Sequence, residues 1–492
     1  MRARPPRLRR FAHELERRLQ LRYQLDRAAE QLALAEHLRR TPRPKMRLSV
    51  IVPVWGIALG DLRSLIASLD RQTYARWELC TCDDGDPDPA IGAYLRARAA
   101  SRPDRHRHAT HARQQGIAAA TRDALALAHG DAVVFVDGDD LLHPRALEAV
   151  AAELEARPDV DLVYTDHDKR TDWGWPVAPS RKPAFSPELL LQLNYVNHLV
   201  AVRRALIDGS LFADDTAGAQ DWALCLHAAR AARGVAHLPF VLYHWRQRAG
   251  SMAVDARAKP WASEAAWRVR NRHVAALDAR LALEGERHGS AAVLTLRPDV
   301  AAPPLHVLDL GAGAPPVRYD GPLLAHAVAA GSPRQVARRA DEALRGAGDD
   351  ELVLLRSAFH PALRGDARPL AAYALQRSIG CVWPFRAPRL RGGYTSARRG
   401  LRALEPADSQ LGGCTGNVLT GPTHGLLCRV GVVRATGGLE RHADDVELEA
   451  IGARLGLAAR ATGLRHVSAA SLVSGSPRPL PHVAAPARDP HV

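Results

Sequence analysis

The chain has 492 residues, 47% hydrophobic and 24% charged, the proportions of a globular protein with room for two or three domains. The formal net charge is +14, but residues 1–45 hold 13 Lys/Arg against 5 Asp/Glu, so over half of the excess lies in one short arm. No segment interleaves aromatic and basic residues, which argues against a nucleic-acid reader. No run approaches the ~18 apolar residues of a membrane span, and the N-terminus is charged where a signal peptide would be apolar. The six cysteines show no zinc-like spacing and read as buried thiols, so the expected location is the cytoplasm.

Within the arm, Leu8, Phe11, Leu15, Leu19, Leu25, Leu32 and Leu38 recur among charges as in an amphipathic helix. Such a helix packs on the next domain, pairs as a short coiled coil, or lies on an anionic membrane surface; the pattern leaves all three open. Pro42 and Pro44 end it. An α/β domain then opens with the apolar strand Leu48–Trp55. A helix over Leu62–Leu69 follows, and the strand from Trp77 runs into Asp83-Asp84-Gly85. Helices over Ile91–Ala100 and Ala118–Ala128 frame Gln114-Gln115-Gly116, and the strand Ala132–Val136 runs straight into Asp137-Gly138-Asp139-Asp140. Alternating strands and helices predict a doubly wound, mostly parallel sheet, whose strand ends carry the ligand. Asp137 and Asp139 offer two hard oxygen donors across Gly138, which admits a close approach by metal-bound phosphate; Mg²⁺ or Mn²⁺ suits them. The plain alternative is an acidic turn, with Asp140 capping the helix after Pro144.

Ordered along the chain are Ser49–Val54, Gln72-Thr73-Tyr74, Asp83-Asp84-Gly85, Gly116-Ile117, Asp137–Asp140, Tyr164–Lys169, Lys182-Pro183, Asn194-Tyr195, Gly218–Trp222 and Tyr243–Arg246. In this series the segment from Leu48 to about Ala253 resembles the inverting family-2 nucleotide-sugar glycosyltransferases of GT-A fold. It is most similar to bacterial members that build O-antigen and other surface polysaccharides. The resemblance implies a UDP- or dTDP-sugar donor and a glycan or lipid-linked oligosaccharide acceptor, handled at the inner face of the membrane. It implies donor contacts from Pro53, Val54, Trp55, Asp83, Asp84, Gln114, Gly116, Arg122, Asp137, Gly138 and Arg246. It further implies metal ligation by Asp139, Asp137 and His244, with Asp221 as the base that takes the acceptor's proton. Asp166, Asp168, Lys182 and Asn194 fall where acceptor contacts are usual. The chain departs from the family at Gln114 and Arg122, where asparagine is common, and Arg122 adds a positive charge beside the donor.

Past Ser251 a helical connector is expected over 256–297, closing the 46–255 domain. Leu305–Gly313 looks like the first motif of a methyltransferase using S-adenosylmethionine, but Pro315 and Pro316 lack the backbone N–H such a turn needs. The region 298–476 is better explained as an eroded second GT-A-like copy, with the helix Pro333–Arg345 and strand Glu351–Arg356 mirroring the helix and strand before Asp137. There the chain reads Arg356-Ser357-Ala358-Phe359-His360 in place of acids, so a fold without catalysis is expected, with Asp445 a helix-start acid. A binding scaffold that takes up nucleotide sugar without turning it over is the competing function. The Pro/Ala/His-rich tail 477–492 is expected to be disordered.

Overall fold

The computed structural model describes residues 25–170, 176–246, 260–285, 292–310, 319–328, 331–356, 368–385, 426–443 and 450–470, with strand fragments at 389–390, 393–394 and 416–417. Expectations for residues 1–24, 311–316, 357–360, 421–425, 444–448, Cys414 and the tail lie outside the described residues. Two compact units emerge. One holds the described residues of Met1–Lys182, Val196–Asp214 and Ala228–Ala249; the other holds those of Pro183–Tyr195, Asp215–His227 and Gly250–Val492.

The first unit starts with helix α1 (25–40), followed by β1 (Leu48–Val54), α2 (Leu59–Asp70), β2 (Trp77–Asp83), α3 (Pro89–Ser101), β3 (His106–Thr110), α4 (Ile117–Ala126) and β4 (Ala132–Phe135). Next come β5 (Leu141–Leu142), α5 (Ala146–Ala156), β6 (Leu162–Arg170), β7 (Pro176–Ser180), β8 (Val200–Arg203) and β9 (Val235–Arg246). Helices α6 (Pro187–Gln192) and α7 (Gln220–Ala231) intervene, and they begin in segments of the second unit. The sheet order is β3-β2-β1-β4-β8-β6-β9-β5, with β7 beside β6.

Strands β3, β2, β1 and β4 are parallel, β8 runs against both β4 and β6, and β6 and β9 are parallel again. Every residue of β2 is buried, as a strand covered on both faces by helices requires. Helix α2 buries Leu62, Leu65, Ile66 and Leu69 on one stripe. Asp88 caps α3 by accepting from the Ala90 N–H, with Pro89 in the first turn. The polar strand β3 has no apolar signature; it forms as an edge on β2, where the Thr81 hydroxyl lies 2.9 Å from both His106 Nε2 and His108 Nδ1.

Of the three uses open to the arm, its described part takes the first. Leu34 and Leu38 enter the core of the first unit. Arg27 Nη1 donates to Asp168 at 2.8 Å, and Glu30 receives a two-pronged pair from Arg181 at 2.8 and 2.9 Å.

In the second unit, α8 (Pro260–Leu277) leads into the antiparallel hairpin of β10 (Leu281–Gly285) and β11 (Ala292–Leu296). The expected helical connector is therefore corrected after Leu277: Leu281 and Leu283 alternate inward, and Val293 and Thr295 favour strand. Then follow β12 (Leu305–Asp309), β13 (Leu323–Ala327), α9 (Pro333–Ala343), β14 (Leu352–Arg356), α10 (Arg368–Ala374) and β15 (Ile379–Phe385). The short pair β16 (Arg389–Leu390) and β17 (Gly393–Tyr394), β18 (Gly416–Asn417), β19 (Leu427–Arg429), α11 (Val430–Ala435), α12 (Ala450–Ala461) and β20 (Arg465–Ala470) complete it. Its sheet runs β13-β12-β14-β19-β15-β20-β18. From β13 to β20 the senses are parallel, parallel, antiparallel, antiparallel, parallel. This is the sequence of senses from β2 to β9 in the first sheet, with the strands visited in the same chain order. The second unit's sheet thus repeats the strand plan of the first.

If α1 belongs to the core, Leu34→Ala should cost about 2–5 kcal/mol of unfolding free energy in urea melts. Leu32→Ala, at a position 74% exposed, should stay within about 0.5 kcal/mol.

Candidate active site

Parallel register sets the carboxyl ends of β2, β1 and β4 side by side. Val54 pairs with Asp83, and the Val136 N–H donates to the Ile51 carbonyl at 3.1 Å. With strands ~4.8 Å apart, Asp83 and Asp137 flank β1 on one edge of the sheet. Gly138 belongs there by space: a Cβ on it would come within 2.9 Å of Ile57 Cδ1 and 3.4 Å of the Pro53 carbonyl. Trp55, half exposed, stands just past β1.

The three acids of the turn divide their work. Asp140 is buried and accepts from the Tyr243 hydroxyl at 2.5 Å and the Arg246 N–H at 2.7 Å. Burial raises its pKa well above the ordinary carboxylate value, and the charges of Asp137 and Asp139 push it further. It does not cap the next helix, where Arg145 holds the cap position of α5. Arg246 binds the turn from its other side, with Nε on the Asp139 carbonyl at 2.8 Å and Nη1 2.8 Å from Asp61 of α2. The side chain of Asp137 is 45% exposed, and Nδ1 of His198 lies 3.9 Å from its Oδ2.

Asp84 organises the neighbouring loop. Its carboxylate accepts from the Gln115 and Gly116 N–H groups at 2.8 Å each and from His111 Nδ1 at 2.6 Å. Gly116, at φ +100°, then opens α4. Gly85 must be glycine: its φ is +68°, and a Cβ would meet the Arg113 carbonyl carbon at 2.8 Å. Asp83 is buried and accepts from the Asp86 N–H at 2.9 Å. Gln114 is exposed, and the Arg122 side chain runs along the 209–212 turn, with Nη1 3.5 Å from the Phe212 carbonyl.

Several sequence expectations are corrected. His244 is buried with Nδ1 2.5 Å from Asp168 Oδ1, while its strand neighbours Tyr243 and Trp245 turn to the opposite face, where His198 lies. Strand alternation thus removes His244 from the acid turn. Asp166, Asp168 and Lys182 do not face an acceptor. Asp166 is buried against His237 and the Lys182 N–H, Asp168 against Arg27 and His244, and Lys182 donates to the carbonyls of Val196 and His198 at 2.9 and 2.7 Å. The cause is coverage, since α1 and β7 lie over this end of β6 and its acids find cations inside.

Asn194 and Asp221 belong to the second unit, where the Asn194 amide donates to Asp221 Oδ2 at 3.0 Å. Asp221 sits in the first turn of α7, and its Oδ1 accepts from the Trp222 N–H at 2.8 Å. The Asn194 side-chain carbonyl is buried with no hydrogen-bond partner among the described residues. Arg270 braces this helix start, its guanidinium 4.8 Å from the Trp222 ring and 3.3 Å from the Leu191 carbonyl; burial pushes its pKa down to about 10.

Sequence reasoning missed His198, Tyr243 as a partner of Asp140, and His111. Each depends on non-local register, which no local pattern carries. Among the described residues no three His, Cys, Asp or Glu side chains converge on a metal position. Two carboxylates across a glycine fit a Mg²⁺-like ion that keeps its remaining positions for phosphate and water.

Residues 49–212 match the family described as Glycosyl transferase family 2. That match lies mostly within the first unit and takes in about a third of the chain. An uncharacterized protein y4gI of Sinorhizobium fredii is 36% identical over 245 residues, 49% of this chain and 27% of that one. The O-antigen biosynthesis protein RfbC of Myxococcus xanthus is 35% identical over 231 residues, 46% of this chain and 18% of that one. The chain thus spans about a quarter or less of these relatives. The structure of S. aureus TarS 1-349 in complex with UDP-GlcNAc aligns loosely, with TM-score 0.39 and 20% identity over 47% of this chain and 68% of that one. No described helix is long and apolar enough to cross a membrane.

The first unit carries a pH-sensitive joint. Burial of His111 works against its charge, but hydrogen bonds and charge from Asp84 and Asp123 outweigh it and raise its pKa above the ordinary 6.5. A raised folded-state pKa gives stability that is complete below the unfolded value and lost as pH rises through the folded one. Thermal stability should therefore fall across that alkaline window in wild type. His111→Gln should flatten the dependence, read from melting temperatures between pH 6 and pH 9.

Proposed function

We propose that this chain is a metal-dependent, inverting glycosyltransferase that moves a sugar from a nucleoside-diphosphate donor to a glycan hydroxyl in bacterial surface-polysaccharide assembly. The observation that carries it is the acid turn at the carboxyl edge of the sheet, where Asp137 and Asp139 flank Gly138 and Asp140 is held inside by Tyr243 and Arg246. Mg²⁺ or Mn²⁺ held there offsets the charge that gathers on the departing diphosphate. Asp83, Asp84 and the Gln114–Gly116 loop line the nucleotide side of the same edge, with Pro53, Val54 and Trp55 between, and UDP or dTDP is the nucleotide class.

The transfer is a single displacement. The acceptor oxygen forms its bond to the anomeric carbon as the bond from that carbon to the diphosphate oxygen breaks, and the hydroxyl proton passes to a carboxylate. That base is Asp221. Its place in the first turn of α7 favours the ionised form, and the Asn194 amide orients one of its oxygens. RfbC bears the name of O-antigen biosynthesis, which supports the polysaccharide setting.

Thermal-shift screening of nucleotide sugars with Mn²⁺ finds the donor, because a ligand of the native state raises its melting temperature. With that donor, Asp139→Ala should abolish both the Mn²⁺-dependent shift and transfer; an unchanged shift rejects the metal role. Asp221→Asn should keep donor affinity while turnover falls by roughly 10²–10⁴. Normal turnover with weakened donor binding would reject it as base.

A further inference from the structure

The imidazole nearest the acid turn is not the one that the sequence series offers. Strand β8 runs antiparallel to β4 with Val200 opposite Phe135. Two residues before β8, His198 lies beside Asp137, its Nδ1 3.9 Å from Asp137 Oδ2. The ring of His198 stacks on Tyr243 (centroids 5.0 Å apart, planes at 16°) and rests against Trp245 at 5.3 Å and the edge of His167 at 6.4 Å. Tyr243 is the residue whose hydroxyl fastens Asp140, so one aromatic stack fixes both the turn and the imidazole.

His198 Nε2 lies 3.3 Å from the Asn197 side-chain nitrogen; with that amide donating, the arrangement suits a ring proton on Nδ1. That nitrogen faces Asp137 Oδ2 at 3.9 Å, beyond hydrogen-bond reach. A protonated nitrogen has no lone pair for a cation. It is instead a donor beside the carboxylate that would hold one.

We infer that His198 binds the donor's diphosphate, giving its Nδ1–H to a phosphate oxygen that also meets the cation on Asp137 and Asp139. This rests on the proposed function and names a phosphate contact within it. The ring is fixed by Tyr243 and Trp245 before the ligand arrives, so little ordering is lost on binding. His198 is a binding residue and takes no proton from the acceptor.

The test uses the full chain with Mn²⁺ alone and with Mn²⁺ plus inorganic pyrophosphate. Free Mn²⁺ is followed by electron paramagnetic resonance and pyrophosphate uptake by calorimetry. His198→Phe keeps a ring on Tyr243 and lacks the N–H; His198→Gln keeps an N–H donor and lacks the ring. Mn²⁺ affinity should match wild type in both variants. Pyrophosphate affinity should fall roughly 10- to 100-fold in His198→Phe, the range of a hydrogen bond to a charged group, and only a few-fold in His198→Gln. Loss of Mn²⁺ affinity in His198→Phe would make His198 a metal ligand and overturn the inference. Equal pyrophosphate affinity in wild type and His198→Phe, or a larger loss in His198→Gln, would reduce it to packing and overturn it too. If wild type takes up no Mn²⁺-pyrophosphate and Asp139→Ala behaves alike, the proposed function falls together with it.

Discussion

Three carboxylates within four residues repel one another, and the first unit resolves this by burying one of them. Asp140 goes inside, where the Tyr243 hydroxyl and the Arg246 N–H satisfy it. Burial first, and the charges of Asp137 and Asp139 next, raise its pKa above the ordinary carboxylate value. A cation on the two other acids would relieve that repulsion. The strand carrying Tyr243 thereby becomes part of the acid turn's support, although two strands separate it from β4 in the sheet.

The opposite face of β9 obeys another constraint. His244, Asp168 and Arg27 form a chain of buried polar groups, and Asp166 gathers His237, Arg181 and the Lys182 N–H. Buried carboxylates at this density require cationic or N–H partners. Helix α1 supplies Arg27 from outside the sheet, and its Glu30 holds Arg181 in place. The helix therefore closes a charge network as well as a hydrophobic core.

What the sequence made legible was the local part. Largely apolar runs marked β1 and β4, the Trp77–Cys82 stretch marked β2, and acids and glycines after β2 and β4 marked the expected ligand edge. Those signals survive because each is written in consecutive residues. The edge strand β3 was not legible, since its polar sequence becomes a strand only through pairing with β2. Nor were the roles of His198 and His244, because which imidazole faces Asp137 depends on the register of β8 and on the alternation of β9. Asp166, Asp168 and Lys182 looked like surface chemistry because nothing local says that α1 and β7 will cover them.

The two sheets of the chain share a strand plan and differ in the sequence after their matching strands. From β13 to β20 it repeats the order and senses found from β2 to β9, with α9 before β14 as α4 comes before β4. Its interior strands Leu352–Leu355 and Leu427–Cys428 are as deeply buried as their counterparts. Burial of those positions is set by the helices covering the sheet, so any copy that folds must keep them. Past the strand ends the two sequences part. There β4 is followed by Val136 and acids, whereas β14 ends on Arg356, a charge that would repel a divalent ion. Packing accounts for the shared burial of these strands, and the acids that follow β4 have no counterpart in the Ser357-Ala358-Phe359-His360 sequence that follows β14.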